Sequence, residues 1–275
     1  MDVQSISCVC FSPTGSTRQI TEMIAQGINP ARTKIRDVTR PVHRKGTDAT
    51  FNGKSVILAT PVYYGRVPEE AAAYFAALNG EKTYAILVVV YGNRAYEDAL
   101  RELYDIATER NFIPIAGAAF VAEHSYSTST HPIAQGRPDE KDLTKARSFG
   151  DEVRKKLQGL SAGKGLTPLK VPGKIPYIEP VNLNRLKEAR LHLPLTPETD
   201  THLCNGCGQC AEICPTEAIL QADTQIIDRW KCLICFACVK SCPTGAKQMK
   251  DPHFNSAAQE LHNVCQERKE PEWYL

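Results

Sequence analysis

The chain has 275 residues, 42% of them hydrophobic and 23% charged, with a formal charge of +2. That length allows one large domain or two smaller ones, and the composition is ordinary for a globular protein in water. The longest strongly apolar run, Ala85 to Val90, is far too short to cross a membrane, the opening "MDVQSISCVCF" lacks the pattern of a secretory signal, and no low-complexity segment or basic run points to disorder or to nucleic acid.

The first 158 residues alternate short apolar runs with helical spacing. Strands are predicted at Ile6–Phe11, Lys34–Val38, Val56–Val62, Tyr84–Tyr91 and Phe112–Val121. Helices are predicted at Ser16–Ile28, Pro68–Leu78, Tyr96–Arg110 and Lys141–Leu157. Only the connection between the second and third strands lacks a clear helix. Such alternation implies an α/β fold, a doubly wound parallel sheet with helices on both faces. The runs "VILATPV" and "YAILVVVY" are continuously apolar, as central strands are. Lys34–Val38 is polar and Pro114 interrupts the fifth run, and both features suit edge strands. A five-stranded order 2-1-3-4-5 puts those two strands at the edges.

Residues 159–200 are rich in Gly, Pro and Lys and read as an extended connector, with a short helix expected at Asn184–Ala189. Residues 201–251 contain an internal repeat. Cys204, Cys207, Cys210 and Cys214 recur as Cys232, Cys235, Cys238 and Cys242, offset by 28, and Pro215-Thr216 recurs as Pro243-Thr244. Residues 252–275 form a tail, helical over Asn255–Arg268 and ending in "EPEWYL".

Eight of the 11 cysteines belong to the repeat. Without a secretion signal, metal or redox chemistry is the stronger reading and a disulfide scaffold the weaker. Each half reads C-x2-C-x2-C-x3-C-P. The short spacing lets three thiolates of one loop bind three corners of a cubane, while the fourth opens a helix directed away and reaches the other cluster. One cluster would take Cys204, Cys207, Cys210 and Cys242. The other would take Cys232, Cys235, Cys238 and Cys214. Structural zinc, the alternative, usually uses two widely separated C-x2-C pairs. The segment "GCGQCA" matches the dinucleotide fingerprint but follows no strand, and its cysteines serve the repeat. The repeat closely resembles the bacterial two-cluster ferredoxins, matching all eight ligand positions over about a fifth of the chain. That resemblance implies two [4Fe–4S] clusters in an α+β ferredoxin domain. At about −2 each with their thiolates, they would bring the formal +2 to about −2.

Ligands of open parallel sheets bind beyond the carboxyl ends of the strands. Four loops lie there: "SPTGST" (Ser12–Thr17), "TPVYYGRVPEE" (Thr60–Glu70), "YGNRAYED" (Tyr91–Asp98) and "AEHSYSTSTH" (Ala122–His131). In the first, Gly15 permits close approach, and Ser16 and Thr17 offer N–H groups at a helix start, where the dipole favours an anion. No lysine stands where an ATP-binding loop needs one, and the Gly53-Lys54-Ser55 match precedes a strand. The other loops bring tyrosines to the same edge, where an aromatic heterocycle would fit.

"SPTGST" is similar to the flavodoxin loop that holds the phosphate of FMN without metal or lysine. With "PVYYGRVP", "VYGNRAYEDAL" and "AEHSYS", the chain resembles the flavodoxin–ferredoxin fusions over most of its length. The missing helix between the second and third strands departs from long-chain flavodoxins, and the connector belongs to neither parent. The resemblance implies that Ser12, Thr14, Gly15, Ser16 and Thr17 hold the phosphate. It implies that Pro61, Val62, Tyr63, Tyr64 and Gly65, with Tyr91, Gly92, Asn93, Arg94 and His124, enclose the ring. For single residues a structural role competes: a helix cap for Ser16 or Thr17, a loop anchor for Tyr63 or Tyr64, and core packing for Tyr91 and Tyr96. Arg66 and Arg94 could tune the flavin or lie solvated. Cys8 and Cys10 read as packing thiols, and Cys265 has no assigned role. Trp273 and Tyr274 could cover the connector or contact a partner.

No catalytic residue is expected. The leading reading is a cytoplasmic, anaerobic electron-transfer protein that relays electrons between FMN and two clusters, to or from a redox partner protein. A second reading is an FMN-dependent reductase of a small acceptor fed by its own clusters, with His124 or Tyr63 delivering protons. A third is a redox-sensing module, which no effector motif favours. Neither nucleic acid nor membrane insertion is expected, and a homodimer is one open arrangement.

Overall fold

The computed structural model describes residues 3–45, 51, 55–163, 165–179, 188, 191–192 and 195–275. The five predicted runs form parallel strands β1 (Ser5–Cys10), β2 (Arg32–Asp37), β3 (Ser55–Pro61), β4 (Tyr84–Tyr91) and β5 (Ile113–Val121), in the order β2-β1-β3-β4-β5. Side chains alternate across a strand, so each run feeds both faces. Val9, Leu58 and Leu87 point into one apolar layer with Phe75 and Leu103. Those two come from α3 (Glu69–Ala76) and α4 (Ala99–Glu109). Cys8, Ile57 and Ile86 point into the other layer with Ile24 and Phe149, from α1 (Ser16–Ile28) and α5 (Glu140–Ser161). The continuous apolarity of β3 and β4 follows from this burial on both sides. Helices α1 and α5 approach through Gly27 and Gly150: a Cβ on Gly150 would run into the Ile24 carbonyl oxygen, and one on Gly27 into that of Arg147.

The connection from β2 holds one helical turn, α2 (Pro41–Arg44), with proline at its start, where a missing N–H costs nothing. β2 is polar and lies at the sheet edge, but β5 does not. The tail returns as β8 (Glu272–Tyr274) and pairs antiparallel with Gly117–Ala119 of β5. Pro114 lies outside that pairing, at a bulge where the β4–β5 register slips. Trp273 packs against Phe149 with ring centroids 6.0 Å apart and donates to Glu152. The Tyr274 hydroxyl lies 3.0 Å from that of Tyr96. These two residues therefore complete the sheet instead of covering the connector.

The connector lies along α4. Asp98 accepts from the N–H groups of Lys174 and Ile178, and the Tyr177 hydroxyl donates to Asp105. The helix expected at Asn184–Ala189 lies outside the described residues except for Glu188. The cysteine-rich part opens with β6 (Glu198–Thr199), which pairs antiparallel with β7 (Lys247–Gln248). Its two short helices, α6 (Gln209–Glu212) and α7 (Ala237–Lys240), start at the repeat's offset of 28. Left-handed backbone precedes each: Gly206 and Gly208 in the first copy, Ile234 and Phe236 in the second. A β-branched residue there is uncommon and strained, by about 1–2 kcal/mol. Burial offsets it, because Ile234 and Phe236 pack with Phe254 and Tyr126. Phe254 belongs to α8 (Pro252–Val264), which Asp251 caps and proline begins.

That aromatic contact joins the two parts of the chain. Tyr126 lies 5.3 Å from Phe236 and 4.6 Å from Phe254, centroid to centroid. Polar contacts flank it: Lys240 with Glu123 at 2.7 Å, Arg40 with Glu212 at 3.1 Å, and Arg44 donating to the Pro215 carbonyl. Among the described residues, no helix is long and apolar enough to cross a membrane.

Candidate functional site

A cavity of about 560 Å³ opens at the carboxyl ends of the parallel strands. One side is the loop set read from the sequence: Thr14, Ser16 and Thr17; Pro61 to Gly65; Tyr91, Gly92 and Arg94; and His124. The structure brings these 12 residues to one space. Ser12, Gly15 and Asn93 do not line it. Gly15 shapes the loop from behind, at φ +88° as the N-cap of α1.

The start of α1 explains why an anion suits this end. Four N–H groups of a helix start have no partner within the helix. The Arg18 N–H donates to the Ser12 hydroxyl at 3.0 Å, and the Gln19 N–H to the Gly15 carbonyl. Those of Ser16 and Thr17 remain at the cavity wall, where the helix dipole is positive. The Ser12 hydroxyl thus satisfies one of the open N–H groups of that helix start. The Ser12 N–H donates to Thr39 Oγ1 at 2.7 Å, so the residue is held behind the loop.

The remaining loops are tied by side-chain contacts. Arg66 makes a two-pronged pair with Glu102, both contacts 2.8 Å, and stacks over Tyr177. It is committed to the scaffold and the connector. Arg94 lines the cavity while paired to Glu97 at 2.8 Å. Asn93 is buried and turned the other way: its amide donates to the carbonyls of Cys265 and Glu267, and its oxygen accepts from Lys269 N–H. Tyr64 stands in left-handed backbone with its hydroxyl 3.5 Å from that of Tyr126. Burial pushes the Tyr91 hydroxyl up to about 12 and that of Tyr63 well above its ordinary 10. His124 accepts the Tyr126 N–H at Nδ1, so the neutral ring carries its proton on Nε2. Burial, with Arg94 and Lys240 nearby, lowers it from 6.5 to about 4.

The opposite side of the cavity was not legible in the loops. It includes Leu195, Leu233, Ile234 and Met249, and from one face of α8 the apolar Phe254, Ala257, Leu261 and Val264 together with the polar His253 and Glu260. The helical spacing of that face was visible in the sequence, but what it faces was not.

Behind Leu233 and Ile234 lies a second, smaller cavity. Cys214, Cys232, Cys235 and Cys238 all line it. The fourth cysteine of the first copy thus joins three of the second. Burial pushes Cys238 up to about 12 and Cys235 higher, with the neighbouring thiols adding to both. Buried sulfurs gathered around a space, whose thiolate forms would repel one another, are a donor set suited to cationic iron. Among the described residues, no three possible ligands converge on a single ion-sized point. Cys242 lies two residues beyond α7, and the β6–β7 ladder sets the stretch after it beside the one leading to Cys204: the Asp200 N–H donates to the Ala246 carbonyl, and the Cys204 N–H to that of Asp200. Thr216 and Thr244 hydroxyls lie 3.7 Å from Cys214 and Cys242 sulfurs, repeating the same contact. Cys207 is exposed, whereas Cys214, Cys235 and Cys238 are buried. Cys8 and Cys10 are buried in the sheet, and burial raises both thiols. Cys265 is buried and gives its carbonyl to Asn93.

The model of the 4Fe-4S binding domain family matches residues 197–220. No curated protein matches the chain. Among solved structures, a flavodoxin from the domain Archaea is similar at 14% identity, over 56% of this chain and 99% of that one, with TM-score 0.40. The Fusobacterium nucleatum flavodoxin bound to flavin mononucleotide is similar at 17%, over 56% and 98%, with TM-score 0.41. Rubredoxin oxygen:oxidoreductase from the anaerobe Desulfovibrio gigas is similar at 11%, over 59% and 37%, with TM-score 0.40. The sheet order β2-β1-β3-β4-β5 makes the N-terminal part a flavodoxin-like α/β fold. The chain joins that fold to a ferredoxin-type 4Fe-4S segment, the arrangement of a flavodoxin–ferredoxin fusion.

Proposed function

We propose that this chain is an electron-transfer protein holding FMN in the large cavity and two [4Fe–4S] clusters on the cysteine repeat. It would relay electrons between the flavin and a redox partner protein. One observation carries the reading: Leu233 and Ile234 line both cavities. A single stretch of the second cysteine motif separates the proposed flavin site from four thiols.

Bound FMN supplies one- or two-electron exchange and each cluster one-electron exchange. The residues present fit that cargo. Ser16 and Thr17 offer N–H groups to a phosphate at a helix start, and Gly15 lets the backbone turn there. Tyr63, Tyr64 and Tyr91 offer ring faces or edges to a heterocycle. Leu233 and Ile234 keep the wall apolar, which excludes water from the short path to Cys232 and Cys235. The path supported by burial runs from the large cavity to the second-copy thiols, then to the first-copy thiols, where Cys207 reaches the surface.

The reductase reading needs a group that takes up or gives a proton near neutrality. His124, lowered to about 4, and Tyr63, raised above 10, are both neutral at pH 7. Relay of electrons needs no residue in that role, because the cofactors carry the chemistry. Anaerobically purified chain is expected to contain about eight iron atoms and one FMN, and to react slowly with NAD(P)H. Stoichiometric zinc in place of iron would overturn the cluster assignment. Rapid NAD(P)H oxidation without a partner would overturn the relay assignment.

A further inference from the structure

We propose that the C-terminal segment is an integral part of the flavin site, with α8 as its outer wall and the following arm as a latch held by Asn93. The inference rests on the flavin reading above. Its geometry comes from residues 172 to 176 positions apart in sequence.

α8 faces the strand ends across the large cavity with Phe254, Ala257, Leu261 and Val264. A ligand seated on the phosphate loop and the tyrosine loops is thereby enclosed from the far side. Cys265 ends the helix, and the chain runs on as an extended arm over the β4–α4 loop. Asn93 sits at the centre of that contact. It donates 2.9 Å to the Cys265 carbonyl and 2.8 Å to that of Glu267, and accepts from the Lys269 N–H at 3.1 Å. Three of the four hydrogen bonds that an asparagine amide can make thus go to the arm. Its neighbours Gly92 and Arg94 line the cavity. The same loop therefore touches the ligand space on one side and grips the arm on the other.

Further contacts keep the arm in place, among them Lys145 with Glu270 and the Lys269 ammonium on the Arg94 carbonyl. Arg137, in a buried pair with Asp142, donates to the Lys269 carbonyl at 2.8 Å. Arg268 pairs with Asp139 at 2.6 Å and Asp142 at 3.2 Å. Beyond the arm, β8 is zipped to β5. Opening the wall requires the arm to leave Asn93, so flavin release and arm release are coupled.

The test uses the full chain, iron-replete and loaded with FMN. Release is followed by the recovery of free-flavin fluorescence on dilution, in wild type, Asn93→Ala and Arg268→Ala. Amide exchange across residues 265–270 is recorded with and without FMN. At least fivefold faster release is expected in one or both variants at unchanged iron content, together with FMN-dependent protection of the arm in wild type. A change below fivefold in both variants, or arm exchange indifferent to FMN, would overturn the latch. Should Asn93→Ala fail to fold, Arg268→Ala on the protein surface carries the test. An iron-replete wild type that takes up no FMN overturns the flavin reading, and the latch with it.

Discussion

Replacing Gly15 by alanine isolates the backbone of the proposed phosphate loop. Gly15 stands at φ +88° and ψ −24°. A Cβ built there meets nothing within 4 Å, so the methyl group has room. Only conformation resists it. An L-residue in left-handed backbone costs about 1–2 kcal/mol. If the empty loop keeps its shape, the apoprotein loses that stability and FMN affinity is unchanged. If the empty loop relaxes, stability is kept and affinity falls by about 5- to 30-fold, since 1.4 kcal/mol is tenfold. The two losses together should come to about 1–2 kcal/mol. Urea unfolding of apoprotein and FMN titration by fluorescence quenching, on the same preparation, give both. Gly15→Asn should lose less, because asparagine tolerates this region. A summed loss near zero would refute the strain argument. A loss of apoprotein stability above about 4 kcal/mol would exceed backbone strain and require a clash with protein atoms, none of which lies within 4 Å. Loss of iron in step with flavin would refute separate sites.

His124 is held neutral, its pKa lowered from 6.5 to about 4. Its contribution is complete above pH 6.5 and is lost as the pH falls toward 4, by about 3 kcal/mol at 1.36 per unit. The stability advantage of wild type over His124→Gln should shrink by that amount between pH 7 and pH 4; a pH-independent difference would contradict it. Gly150→Ala sets a methyl against the Ile24 carbonyl and the backbone of Gly27. Backbone cannot swing aside, so α1 and α5 must separate at a cost of about 1–3 kcal/mol. An unchanged unfolding midpoint would refute that packing. Cys214→Ala and Cys235→Ala, as members of one cluster, should each cost about four iron atoms and together no more. Cys214→Ala combined with Cys207→Ala should cost nearly all the iron, and equal iron in the two double variants would refute the crossed ligation. A Cys242→Ala variant should match Cys207→Ala in the iron it retains.

Local spacing carried much of this molecule. Continuous apolarity marked β3 and β4 because both faces of a parallel sheet are covered. Polarity marked β2 as an edge. The cysteine spacing is a property of one loop and one helix start, and it recurs at a fixed offset, so it was readable without the fold. The loop before α1 was readable for the same reason, although the Ser12–Arg18 contact was not. A serine that caps a helix and one that binds a phosphate look alike in sequence, since both place a hydroxyl at a helix start.

What the sequence determined by itself is therefore local: which runs are strands, where α1 begins, and which thiols could share a cluster. Only the tertiary structure decided which distant surfaces meet. It turned β5 from an edge into an inner strand by laying "EWY" beside it. It took Asn93 away from the cavity and gave it to an arm more than 170 residues later. It also set Ile234 and Phe236 in left-handed backbone, where the first copy has glycines. No local rule favours those side chains there. Their burial against Tyr126 and Phe254 does, because contact between the two halves returns more than the backbone strain costs.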